Sequence, residues 1–433
     1  MNSKRLLAIC LLCTALGNIV SRANAFINLG NGVYKSDGSH NDTQAAVNAA
    51  PVGGTVLLPS GTFTWTKTVF VVNKSLNIFG ASVSSPTTIL NNHPNPTPFQ
   101  EKGIITMSSS AGVNSQIKNI HFGIGPNISG AYMGLCQLWF TRGSPQVEGG
   151  ILLLHDCTFD ANATIAKGLR LYPNGAVIWN CTFNGTGASY IDGIAIQNNS
   201  DTYPAPSTMG ILDKTGVANC YVEDSKFNNI SPGYALDLAD GARFVVRHCA
   251  FTNSYIGSHG QETSPFGMRH AEVYNCTFTN PNWNIPTQAA LWMRGGTWVI
   301  FNNTFGPVPY GKAIIMMQIL SLREGIDFPG THVCPTHYPI PRQIGQGWKG
   351  VGGYSYPDLP QDGGGYTTDP VYIWSNTPSV PSVAFGNAPT DSCGHGLWTK
   401  EFIKAGRDYF IGHRNRDTFL TFTRTRLELR RSK

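Results

Sequence analysis

The sequence predicts an all-β protein, a single-stranded right-handed parallel β-helix (solenoid) with a short N-terminal capping helix and a loop-rich C-terminal part. Three observations predict it. A phrase of the form apolar-x-Asn/Asp-x-x-Phe recurs along the chain at intervals near two dozen residues, and a fixed internal period is the mark of stacked repeats. The 433 residues exceed one ordinary globular core, which an elongated repeat fold accommodates without a second domain. Charged residues are only 13% of the chain while glycines number 48, a composition suited to strands joined by tight turns.

The phrase runs Ile117–Phe122, Leu154–Phe159, Ile178–Phe183, Val222–Phe227, Val246–Phe251 (with His248 in the polar slot), Val273–Phe278 and Ile300–Phe305. Its phenylalanines are 37, 24, 44, 24, 27 and 27 residues apart. Four of these intervals fit one coil. The 37 and 44 stand either for one coil with an inserted loop or for nearly two coils. A strand points alternate side chains inward, so stacked coils should align the phenylalanines into one internal file. The residues two places earlier, Ile120, Cys157, Cys181, Ser225, Cys249, Cys276 and Asn303, should form a second file. Because Ser and Asn share that file with Cys, the thiols are expected to be small buried fillers. A bond between Cys157 and Cys181 stays open. The repeated Asn of the polar slot is expected to serve a turn with left-handed backbone.

Residues 1–25 read as a signal peptide. Lys4 and Arg5 precede an apolar run from Leu6 to Leu16, and Ala23-Asn24-Ala25 fits a small-x-small cleavage site. Secretion to the periplasm or the exterior follows, with cleavage near Ala25, and no other stretch is long enough to span a membrane. Residues 26–328 are assigned to the β-helix with its cap, and Asp42 is expected to cap a helix over residues 43–50. Residues 329–412 form a loop-rich extension with closing strands near Pro370–Asn376 and Gly406–Phe410, and Cys334 and Cys393 are its disulfide candidates. Residues 413–433 form a basic tail. The signal carries three positive charges and the tail seven positive and two negative, so the net charge of +6 falls to −2 for the body between them. A nucleic-acid partner is therefore not expected, and a monomer is.

Two segments carry a family resemblance. The stretch from Asp37-Gly38 through Ala45-Ala46-Val47-Asn48-Ala49-Ala50-Pro51 to Pro59-Ser60-Gly61-Thr62-Phe63 resembles the opening of pectate-lyase-like β-helix proteins. Later coils such as Val273–Phe278 are similar to bacterial right-handed β-helix repeat proteins. Together these cover about residues 36–310. The resemblance implies the fold and a polysaccharide partner. It implies no single activity, because that superfamily holds lyases, hydrolases, epimerases, tailspikes and adhesins. The chain lacks the adjacent Asp-Asp pair and the Gly-His-Gly of the polygalacturonase branch, and Tyr190-Ile191-Asp192-Gly193-Ile194 matches an Asp-Gly element of that branch only faintly. It also lacks an Asp-rich calcium cluster like that of the pectate lyases.

Chemistry is expected where polar residues crowd a turn on the rigid stack. Ser258 to Ser264 followed by Arg269-His270 is the densest such cluster. His259, Glu262, Arg269 and Arg294 are the candidate catalytic residues. Asp237, Asp240, Arg247, His270, Trp348 and Tyr354 are the candidate substrate-binding residues. Arg247, Arg269 and Arg294 are 22 and 25 residues apart, about one coil each, and are expected to stack on one face. In β-elimination on a uronic-acid polymer, a base takes the proton beside the carboxyl group while cations, or Ca²⁺, neutralise that carboxylate. In glycoside hydrolysis, two carboxyl groups flank the bond, and Asp237, Asp240 and Glu262 are available. No cofactor is certain; Ca²⁺ is the one that elimination admits. No zinc spacing, phosphate-binding loop, dinucleotide fingerprint or serine-hydrolase elbow occurs. Elimination is favoured over hydrolysis for an enzyme, and a non-catalytic glycan-binding or adhesin-like surface protein is the alternative.

Overall fold

The computed structural model describes residues 26–94, 103–110, 112–128, 132–142, 150–172, 175–186, 191–196, 219–230, 232–239, 242–259, 268, 270–279, 289–307, 312–318, 344–348, 366–368, 370–386, 399–400 and 403–412. The proposed signal segment, Cys334, Cys393 and the basic tail lie outside them, as do Asp240, Glu262, Arg269 and Tyr354.

The chain is a parallel β-helix. From Thr55–Leu57 to Ala313–Gln318 each coil gives one strand to each of three sheets in turn, so neighbours within a sheet come from successive coils. Among the described residues, sheet I has thirteen strands, from Ile27–Gly30 to Tyr409–Ile411. Sheet II has nine, from Gly61–Trp65 to Thr304–Phe305, and sheet III has ten, from Val69–Val71 to Val383–Gly386. Among the described residues, all pairings within these three sheets are parallel except the first in sheet I, where Ile27–Gly30 runs antiparallel to Val33–Lys35. A separate antiparallel hairpin pairs Gln346–Trp348 with Tyr366–Thr368.

The phrase organises this stack. Phe122, Phe159, Phe183, Phe227, Phe251, Phe278 and Phe305 lie in one register file of sheet II. Their rings stack at successive centroid distances of 4.8, 4.9, 4.9, 4.9, 4.5 and 5.0 Å. Both long intervals are therefore single coils with inserted loops, since Phe122 pairs Phe159 and Phe183 pairs Phe227 directly. The polar slot turns the chain from sheet I into sheet II. Asn119, Asp156, Asn180, Asp224, His248, Asn275 and Asn302 all have φ between 48° and 58°, the left-handed region that Asn and Asp tolerate best.

The second file is also as expected. Cys157, Cys181, Cys249 and Cys276 are buried, reduced thiols. Each donates to the carbonyl two residues back, at 3.2–3.4 Å. Ser225 does the same at 2.7 Å, which explains why Ser substitutes for Cys there. Burial, then the adjoining thiol, pushes Cys181 and Cys249 well above the usual thiol range, so they are chemically inert.

A solenoid must cover its first coil. The covering helix spans His40–Ala49, and Ser39 is its N-cap, accepting from the Asp42 amide at 3.3 Å. Asp42 is thus not the cap. Its carboxylate instead accepts from the Asp37 amide at 2.8 Å, because the Asp37-Gly38-Ser39 turn starts the helix three residues early. Gln44 donates to and accepts from the Phe70 backbone at 3.0 and 2.8 Å, so a side-chain amide occupies part of the free edge of sheet III, an edge that would otherwise invite strand pairing. Among the described residues no helix is long and apolar enough to cross a membrane.

Candidate functional site

On sheet III, Leu138, Leu169, Ile194, Leu236, Ile256, Leu291 and Ile315 point into the core. The residues one place on form an outward file: Trp139, Arg170, Ala195, Asp237, Gly257, Trp292 and Met316. An outward file would ordinarily be polar and wet. Asp237, however, is 1% exposed, and a buried carboxylate requires partners.

His259 supplies one. It follows the strand Ile256–Ser258, and its backbone is held on both sides: its amide donates to Leu238 at 2.7 Å, and its carbonyl accepts from Met268 at 2.8 Å. Its Nε2 lies 2.6 Å from Asp237 Oδ1. Burial alone would raise the Asp237 pKa. The charge of His259, with those of Lys167 and Arg294, outweighs that and holds it well below the ordinary carboxylate range.

Arg294 closes the cluster. Its amide donates to Ser258 Oγ at 2.9 Å and its Nε to the Ser258 carbonyl at 2.5 Å. Nη2 donates to the Tyr234 hydroxyl at 3.1 Å. The same Nη2 is 3.0 Å from Nδ1 and 3.1 Å from Nε2 of His259. An atom nearly equidistant from both ring nitrogens can lie in the ring plane only by overlapping Cε1, so it sits over the imidazole face. The guanidinium carbon is also 4.2 Å from the Trp292 ring centroid. Tyr234 reaches this position because its neighbour is Gly257: a Cβ there would fall 2.1 Å from the tyrosine ring.

Beneath lies a second ion pair. Lys167 and Asp192 sit one coil apart, each two residues before an inward Leu169 or Ile194. Lys167 Nζ donates to Asp192 Oδ2, and the Tyr234 amide donates to Asp192 Oδ1 at 3.0 Å. Burial raises the Asp192 pKa, the Asp237 charge adds to that, and Lys167 opposes both. Asp192 and Asp237 thus commit oxygens to Lys167, Tyr234 and His259. Among the described residues no three His, Cys, Asp or Glu are grouped to hold a metal.

Of the expected site residues, His259, Arg294 and Asp237 converge. Asp237 is buried beside His259, 2.6 Å from its Nε2. Arg247 and His270 belong elsewhere, and the expected arginine stack is corrected accordingly. Arg247 points outward from sheet I between Glu223 and Tyr274, with Nε 3.2 Å from Glu223 Oε1 and Nη1 3.2 Å from the Tyr274 hydroxyl. His270 starts the next strand of sheet I, 3.1 Å from Glu272. Spacing by one coil cannot say which of three sheets a residue joins, and the intervening turns differ in length. Trp348 lies in the strand Gln346–Trp348 of the separate hairpin. Asp240, Glu262, Arg269 and Tyr354 lie outside the described residues. Sequence reasoning gave no role to Lys167, Tyr234 or Gln318. A usable signal existed for the first: a charge in the inward phase of a strand, one coil from the opposite charge.

No family model matches the chain, and no curated protein matches it. Solved structures do. A Geobacillus virus E2 protein, ORF18, is 12% identical with a TM-score of 0.36, over 71% of this chain and 62% of that one. A mannuronic acid specific polysaccharide family 6 lyase from human gut microbiota is 11% identical with a TM-score of 0.43, over 79% and 74%. The catalytic unit of a GH87 α-1,3-glucanase from Streptomyces thermodiastaticus strain HF3-3 is 17% identical with a TM-score of 0.40, over 68% and 60%. The chain thus spans under two thirds of the viral protein and of the glucanase unit. At these identities the likeness is one of fold.

Proposed function

We propose that this is a secreted carbohydrate-active protein whose site is the outer face of sheet III around His259, and that its reaction is β-elimination on a uronic-acid polysaccharide. The observation that carries the proposal is the juxtaposition of three groups: a histidine, a buried carboxylate 2.6 Å from its Nε2, and a guanidinium on its ring face. Asp237, in ion-pair contact with Nε2, stabilises the imidazolium that forms, as a buried carboxylate does for a catalytic histidine. Nδ1 is then the atom that takes the proton beside the sugar carboxyl group. Arg294 supplies positive charge where the carboxylate gathers electron density. The C–H electrons form the new carbon–carbon double bond, the glycosidic C–O bond breaks, and the departing oxygen takes a proton from the imidazolium or from water.

Hydrolysis needs two carboxyl groups free to face the bond. Among the described residues of this face, Asp192 and Asp237, whose pKa values are pushed apart, are already engaged by Lys167, the Tyr234 amide and His259. One observation favours a non-catalytic glycan-binding protein instead: the His259 side chain is only 11% exposed.

Purified protein incubated with uronate and neutral polysaccharides separates these cases. Elimination yields the absorbance of an unsaturated uronate. His259→Ala should lower that rate by about a hundredfold or more. New reducing ends without that absorbance would mean hydrolysis, and no change across the panel would leave only binding. N-terminal sequencing of exported protein, expected to begin at Phe26, tests the signal segment.

A further inference from the structure

We propose that Trp292 is the platform on which this site stacks a sugar ring, and that Gln318 is the positioning residue that sets the indole; this rests on sheet III being the polysaccharide face. Trp292 is the one residue of the strand Ala289–Met293 that is not buried. Core filling at this rung is already done by Leu291 and Met293, which point inward. Trp292 stands outside that core, with one side packed on the small outer cluster of Tyr234 and Tyr255, its ring centroid 6.0 Å from that of Tyr234. Its predecessor in that file, Gly257, has no side chain of its own to rise in front of it.

Two further contacts hold the ring. The indole Nε1 donates to Gln318 Oε1 at 2.9 Å, which restrains rotation of a large aromatic group. The Arg294 guanidinium lies 4.2 Å from the ring centroid, a cation–π distance. Aromatic area joined to a fixed cation recognises a ligand with an apolar face and an anionic edge. A pyranose bearing a carboxylate has both: its axial C–H face lies on the part of the indole that the guanidinium leaves uncovered, and its carboxylate reaches past the ring edge toward Arg294. A neutral pyranose has only the first. The same guanidinium touches the His259 ring, so a carboxylate drawn to it brings the neighbouring carbon toward the base.

The experiment is calorimetric titration of the full-length protein with oligomannuronate, oligoguluronate and oligogalacturonate, and with neutral gluco-oligosaccharides, followed by turnover assays on any oligomer that binds. Trp292→Ala should weaken oligouronate binding about tenfold or more, and in turnover should raise KM far more than it lowers kcat. Trp292→Phe, which keeps an aromatic face and guards against misfolding, should recover part of the affinity. Gln318→Leu should weaken binding by a smaller factor, and Gln318→Glu, which keeps the acceptor, should restore it. Wild-type binding that Trp292→Ala leaves unchanged would overturn the platform while leaving the sheet III site standing. Equal affinities of Gln318→Leu and wild type would remove Gln318 from it. Wild-type protein that binds no oligosaccharide would overturn the sheet III site itself.

Discussion

Two kinds of residue decide most at the smallest scale. The first is the polar corner residue with left-handed backbone. For an L-residue other than Gly, Asn or Asp, that conformation costs roughly 1–2 kcal/mol. Asn275 has φ 55° and is exposed, so Asn275→Ala should lose about 1 kcal/mol, while Asn275→Gly should stay within a few tenths. Urea denaturation midpoints measure both. This corner was legible in the sequence because the Asn recurs with the coil. The second kind is the buried ion. The depressed pKa of Asp237 means that its ionisation stabilises the fold above the unfolded carboxylate range, near 3.9. That contribution is lost as pH falls toward the native value. Asp192, with its raised pKa, has the opposite sign and loses stability as pH rises through its titration. Asp237→Asn should therefore lower the melting temperature most near neutrality, by an amount equivalent to about 3 kcal/mol for a broken buried pair, and the gap to wild type should narrow in acid. Melting curves across a pH series test this; a constant gap would contradict it.

At the scale of elements, the internal phenylalanine file is the main joint between coils. Phe227 has a stacked ring on each side, at 4.9 Å, and is fully buried. Phe227→Ala should cost about 3–5 kcal/mol, the usual range for deleting a buried aromatic. Phe305 ends the file with one stacked neighbour, Phe278, and is 6% exposed. Phe305→Ala should cost clearly less, and equal losses at the two sites, read from denaturation, would contradict the stack as the source of stability. Sheet I shows why a period alone misleads. Its outward file runs Trp179, Glu223, Arg247, Tyr274, Phe301 and Trp374, with rings stacked at 4.6 and 4.7 Å over its last three members. Trp374 is thus part of a strand ladder. Arg247, which looked like a site residue one coil from Arg269, is a rung of this ladder.

For the whole molecule, stability is a sum of coils and of the interfaces between neighbours. Substitutions in touching rungs should couple, and those far apart should add. Phe183→Leu with Phe227→Leu, whose rings are 4.9 Å apart, should depart from additivity by more than about 0.5 kcal/mol. Phe122→Leu with Phe278→Leu, separated by four intervening rungs, should add within that margin. A double-mutant cycle on each pair checks it. The site has the same long-range character: Lys167 and Arg294 flank Asp237 from coils far apart in sequence, and both act on its charge.

The sequence by itself determined the periodic part of this protein: the solenoid, the phenylalanine file, the thiol file and the polar corners. Each of these repeats once per coil, and stacking in register turns a repeat in sequence into a column in space. It also named His259, Asp237 and Arg294 among the candidate site residues. The tertiary structure alone decided which face each charged residue joins. Three sheets share every coil, and the connecting turns vary in length. A count of residues therefore gives the rung but not the side, which is why Arg294 meets His259 and Trp292 while Arg247 pairs with Glu223.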